Sequence, residues 1–91
     1  MEIEPENARY QNSIGVTLHK MGRYEDALSA EQKAVELEPE NARYRNSIGV
    51  TLHEMGRYEE ALSAKQKAVE IEPDNVRYKK SLEITMEKLE G

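Results

Sequence analysis

The chain has 91 residues, no cysteine and a formal net charge of −5, with 18 acidic and 13 basic side chains. That length makes one small domain without disulfide support, and the acidic balance argues against nonspecific attraction to phosphate backbones, so no nucleic-acid partner is expected. Leu, Ile, Val and Phe together number only 17, just under roughly a fifth of the chain, the level below which a charged sequence starts to look disordered. Either the chain is unstructured, or its few apolar residues are placed so regularly that a modest core suffices. No run approaches the ~18 apolar residues of a membrane span. The start Met1-Glu2-Ile3-Glu4-Pro5 lacks the basic and apolar stretches of a signal peptide. A soluble, cytoplasmic chain with no membrane partner is expected.

Placement is indeed regular. Residues 39–72 repeat residues 5–38 at all but five positions: Gln11/Arg45, Lys20/Glu54, Asp26/Glu60, Glu31/Lys65 and Leu37/Ile71. Pro73-Asp74-Asn75-Val76-Arg77-Tyr78 opens a third, partial copy, and Glu2-Ile3-Glu4-Pro5 echoes Glu70-Ile71-Glu72-Pro73. Period and content together divide the chain into repeat one (5–38), repeat two (39–72) and a C-terminal capping segment (73–91).

The first predicted helix begins at Asn7, whose side chain can cap the orphan amides. Tyr10, Ile14, Thr17, Leu18 and Met21 recur along it at helical spacing until Gly22 ends it. The second runs from about Tyr24 to Leu37, with Tyr24, Ala27, Leu28, Ala34 and Val35 on one stripe. Glu25 and Asp26 lie in its first turn, where the helix dipole favours them, and Pro39 stops it. Residues 42–55 and 58–71 repeat the pair, and Val76 to about Glu90 makes a fifth helix. No segment has the alternation of a strand.

Gly15 and Gly49 stand inside first helices, where glycine costs about 1 kcal/mol relative to alanine. A repeated penalty implies close approach by the partner helix, with Ala27 and Ala61 as the small residues opposite. The fifth helix carries Glu83 at the equivalent position, as suits a capping helix with no following partner.

The 34-residue period and this small-residue pattern resemble the tetratricopeptide repeat over essentially the whole chain. The family pattern W-x2-L-G-x2-Y…A-x3-F…P falls on Gln11, Ile14, Gly15, Leu18, Ala27, Glu31 and Pro39, then on Arg45, Ile48, Gly49, Leu52, Ala61, Lys65 and Pro73. The resemblance implies an all-α fold, a right-handed superhelical solenoid of antiparallel helix pairs with five helices in all, whose first helices line a concave, peptide-binding surface. Two of the family's aromatics are absent. At the second such position, Glu31 and Lys65 fall within an apolar stripe, where a fully buried unpaired charge is too costly to keep. Two alternatives are open: Tyr44 and Tyr78 lean over the preceding second helix and leave the charged heads at the rim, or both charges are simply solvent-exposed.

Spacing places Arg9, Asn12, Val16, His19 and Lys20, then Arg43, Asn46, Val50, His53 and Glu54, and finally Arg77, Lys80, Ile84 and Glu87 on the face opposite the core. Repetition turns them into ladders. Arg9, Arg43 and Arg77 suit carboxylates, Asn12 and Asn46 a peptide backbone, and Val16, Val50 and Ile84 form an apolar floor, with His19, His53 and Lys80 alongside. An acidic peptide fits best, although any near-perfect repeat produces ladders of every surface residue. Family members that clamp a chaperone's C-terminal carboxylates use Lys, Asn and Arg on three first helices. Asn12 and Arg77 fall on such positions, but Val16, Ser47 and Ser81 occupy others, so that clamp is incomplete.

His19 and His53, with Glu54, are the only residues suggestive of a metal. One repeat of separation puts two nitrogens too far apart for one ion, and they read as surface histidines. No metal, cofactor or catalytic constellation is expected, and the chain reads as no enzyme. The first helix lacks a preceding second helix, leaving Tyr10, Ile14 and Thr17 open, so self-association through that end is expected. Near-identical repeats point to a designed or derived scaffold presenting an interaction surface; the alternative is a peptide-binding adaptor recognising an acidic or C-terminal peptide.

Overall fold

In the computed structural model, residues 7–91 are described. Pro5 and Glu6 of repeat one and the echo Glu2-Ile3-Glu4-Pro5 lie outside them. Five helices follow in order: α1 (Ala8–Lys20), α2 (Tyr24–Leu37), α3 (Ala42–Glu54), α4 (Tyr58–Ile71) and α5 (Val76–Glu90). Among the described residues there is no strand, and no helix is long and apolar enough to cross a membrane.

Each first helix starts on an asparagine. Asn7, Asn41 and Asn75 accept through Oδ1 from the amides of Tyr10, Tyr44 and Tyr78 at 3.1, 3.2 and 3.3 Å, satisfying donors that the first turn leaves unpaired. The turns into α2 and α4 pass through Gly22 and Gly56, with φ of +79° and +78°, a left-handed conformation that favours glycine. The Arg23 and Arg57 amides then donate back to the Leu18 and Leu52 carbonyls at 2.9 Å, closing each helix end. Arg23 and Arg57 also pair with Asp26 and Glu60 at 2.7 Å, in the first turns of α2 and α4.

Each helix packs chiefly on its neighbour in sequence, while α1 meets α3 and α3 meets α5 along narrower edges. The result is an elongated body of 49 × 28 × 17 Å. Its core is a chain of small clusters: Ala8 with Ala34 and Tyr44, Leu28 with Leu52 and Ala61, and Ala42 with Ala68 and Tyr78. Alanine at the crossing points brings backbones close enough for these clusters to close with few large aliphatic side chains.

The glycines serve the same approach. A Cβ on Gly15 would strike Glu31 Cγ and lie 3.1 Å from the Ala27 carbonyl oxygen, and one on Gly49 would meet the Lys65 stem and the Ala61 carbonyl at 3.3 Å. The backbone carbonyls of Ala27 and Ala61, with the stems four residues on, are what the absent side chain makes room for. Glu83 is exposed, on the outer face of α5. The open side of α1 shows in its residues too: Tyr10 is 51% exposed, whereas Tyr44 and Tyr78 are buried against the preceding hairpin.

Candidate functional site

The ladder residues lie along α1, α3 and α5. Arg9, Arg43, Arg77, Lys80 and Ile84 are exposed, and Val16, Asn46 and Val50 half-buried. None of the three arginines is in an ion pair among the described residues. Asn12 lies deeper and is buried. The Oδ1 atoms of Asn12 and Asn46 are both enclosed and accept no hydrogen bond among the described residues, an uncommon state for a buried polar atom.

Glu31 and Lys65 correct both expectations for them. They are neither exposed nor at the rim: Glu31 is 1% exposed and Lys65 3%. Tyr44 and Tyr78 do pack on the preceding second helix, against Ala34 and Ala68, but one turn beyond the charged side chains. What makes burial of the charges tolerable is a threonine on the next first helix. Thr51 donates to Glu31 Oε1 at 2.7 Å. Thr85 accepts from Lys65 Nζ at 2.7 Å, and the Ser81 carbonyl accepts from the same ammonium at 2.9 Å. One hydroxyl serves opposite charges because it donates in one repeat and accepts in the other. Both threonines are fully enclosed.

The histidines complete each network, which corrects their reading as surface groups. Both are half-buried. His19 Nδ1 lies 3.0 Å from Thr51 Oγ1, and His53 Nδ1 lies 2.9 Å from Thr85 Oγ1. Their rings meet Tyr24 and Tyr58 edge to face at 5.1 and 5.0 Å. With Thr51 spending its single proton on Glu31, His19 must carry its own proton on Nδ1 to complete the contact. Thr85 accepts from Lys65, so its proton is free for His53, whose Nδ1 then accepts and whose proton sits on Nε2. The charge reversal between repeats thus reverses the imidazole tautomer.

Burial pushes the Glu31 carboxyl up to about 7 from 4.5, against the Thr51 hydrogen bond, which pulls it down. Burial lowers the Lys65 ammonium, opposed by the charge of Glu54. It also lowers His53, helped by Lys65 and Lys88 and opposed by Glu54. No group of three or more His, Cys, Asp or Glu that could hold a metal occurs among the described residues.

A cavity of about 150 Å³ opens between α1, α2 and α3, lined by Val16, His19, Lys20, Glu31, Asn46, Ser47 and Val50. Sequence reasoning assigned Val16, His19, Lys20, Asn46 and Val50 to the concave face and Ser47 to a clamp position, but missed Glu31, which borders the same space. The signal that could have found it was the pairing of differences between repeats: Lys20 with Glu31 in one, Glu54 with Lys65 in the other.

Solved structures with this architecture share little sequence with the chain. The first tetratricopeptide repeat of Spaghetti (RPAP3), bound to the HSP90 peptide SRMEEVD, is 19% identical, superposes with a TM-score of 0.90 and matches 97% of this chain and 70% of its own. MamA is 22% identical, with a TM-score of 0.87 over 93% of this chain. The Sgt2 domain from Aspergillus fumigatus is 25% identical, with a TM-score of 0.88 over 94% of this chain. This chain spans 50% of the MamA structure and 58% of the Sgt2 domain. No curated protein sequence matches the chain. The family model of the tetratricopeptide repeat matches residues 12–76, and with five helices among the described residues the chain belongs to the tetratricopeptide repeat family, a protein-interaction fold.

Proposed function

We propose that the chain is a non-catalytic, cytoplasmic interaction module that lays an extended acidic peptide along α1, α3 and α5. Arg9, Arg43 and Arg77 take the peptide's carboxylates, Asn46 its backbone, and Val16, Val50 and Ile84 its apolar side chains, with His19, His53 and Lys80 flanking them; Asn12 is buried too deeply to reach it. The observation that carries this reading is the arginine ladder, three exposed guanidinium groups without ion-pair partners among the described residues. Charge-assisted contacts to carboxylates are the stronger class of hydrogen bond. The RPAP3 domain of the same fold is bound to SRMEEVD, a peptide with three acidic side chains. The open α1 face, where Tyr10 and Thr17 are exposed, supports self-association as a second contact.

A labelled SRMEEVD peptide titrated by fluorescence anisotropy tests the ladder. Capture by the chain, lost in the Arg9/Arg43/Arg77→Ala variant and weakened by salt, is the expected result. The near-identity of the two repeats favours the other reading, a designed or derived scaffold whose ladders follow from repetition alone. No capture, or equal capture by the variant, selects that one.

A further inference from the structure

The second repeat shows what the first lacks. Between α3, α4 and α5, Lys65 delivers an ammonium to the Ser81 carbonyl and the Thr85 hydroxyl. At the corresponding place between α1, α2 and α3, the Ser47 and Thr51 acceptors recur, but the side chain from α2 is a carboxylate, and a cavity of about 150 Å³ borders it. A cavity of ~150 Å³ is large enough to hold a small organic molecule. Its wall carries Glu31, buried and bonded among the described residues only to Thr51, and Asn46, whose enclosed Oδ1 accepts nothing. Both are acceptors with unused capacity, and Val16 and Val50 supply apolar flanks suited to a methylene stem.

We propose that this cavity is a pocket for a primary ammonium on an alkyl stem, the side chain of a lysine in the bound partner. The inference rests on the groove being a peptide site and adds a requirement the arginine ladder does not make. The incoming ammonium donates to the Glu31 carboxylate and the Ser47 carbonyl, and to the Asn46 Oδ1 once that half-buried side chain turns to uncover it, replacing from outside the group that Lys65 supplies from inside in repeat two. Lys20 stands at the rim with its own positive charge and opposes entry, which favours a stem long enough to carry its charge past that rim.

The probe is N-acetyl-lysine methylamide, which has no carboxylate for the arginines to hold. Titrated into the labelled protein and followed by proton–nitrogen correlation spectra, it should give saturable shifts centred on Asn46, Ser47 and Val50. The norleucine analogue, which lacks the charge, and the Glu31→Gln variant should each weaken binding about tenfold or more. Lys20→Ala should tighten it. Glu31→Lys copies the arrangement already present at Lys65, so it keeps the fold, fills the pocket with its own ammonium and should abolish binding. Equal affinity for the lysine and norleucine probes, undiminished binding by Glu31→Gln or Glu31→Lys, or no saturable shift in the unmodified chain each overturns the proposal. SRMEEVD capture is measured separately, so a failed pocket with intact capture leaves the arginine ladder standing, and the reverse removes the ladder alone.

Discussion

Replacing Glu31 by glutamine removes a buried ionisable group while keeping an oxygen to accept from Thr51 at 2.7 Å. The unfolded carboxyl releases its proton near 4.5, whereas the folded one holds it to about 7. Between those values the folded state binds more protons than the unfolded state, so the group's contribution to stability falls as pH rises through that window. The shift of about 2.5 units sets the full penalty of ionised Glu31 at about 3 kcal/mol above the folded value. Screening and local relaxation around the charge reduce that figure, which is an upper bound. With an m-value of about 1 kcal/mol/M for a domain of this size, it corresponds to a urea midpoint difference of up to about 3 M. Urea unfolding followed by circular dichroism, at about pH 4 and about pH 8, checks it. The variant should be clearly more stable than the parent at the higher pH and nearly equal at the lower. His53, whose value burial lowers, favours stability at higher pH and is common to both proteins, so the difference between them isolates Glu31. Parallel pH profiles for parent and variant would refute the reasoning.

Two further substitutions probe the interfaces. Tyr44→Ala should destabilise by about 3 kcal/mol or more, since it empties a buried aromatic site, while Tyr10→Ala, at the same repeat position but 51% exposed, should change the thermal midpoint little; equal losses at both sites would contradict the description of the α1 face. Gly49→Ala gains about 1 kcal/mol of helix propensity but drives a methyl into the Lys65 stem and toward the Ala61 carbonyl, so the net effect should be a lower melting temperature, and a raised one would show that the helices separate readily.

Nearly all of the fold was legible because its signals are local. Asn7, Gly22 and Pro39 punctuate the chain within a few residues of the ends they set, and their copies in repeat two act alike. Helical periodicity places Arg9, Asn12 and Val16 on one face without reference to any other helix, and there it errs for Asn12, which is buried while Arg9 is exposed. Glu31 and Lys65 were misread because their partners lie 20 residues away, on the next first helix. Judged against its own helix, a charge in an apolar stripe has no visible partner. Thr17, the copy of Thr51 in α1, was read as part of the first helix's own stripe, with no sign that the hydroxyls of Thr51 and Thr85 would face these charges. The histidines failed for the same reason, their bonds spanning 32 residues.

A hydroxyl that donates as readily as it accepts gives the place opposite it a hydrogen-bond partner for either sign of charge. Glutamate and lysine codons differ by a single base, so this interior site can cross from one to the other in one mutational step without passing through an unsatisfied intermediate. Thr51 and Thr85 therefore let a buried position accept, under drift or under deliberate diversification, a change that is otherwise confined to the surface. An array can thus vary its internal charge from unit to unit while the threonine that receives it stays the same.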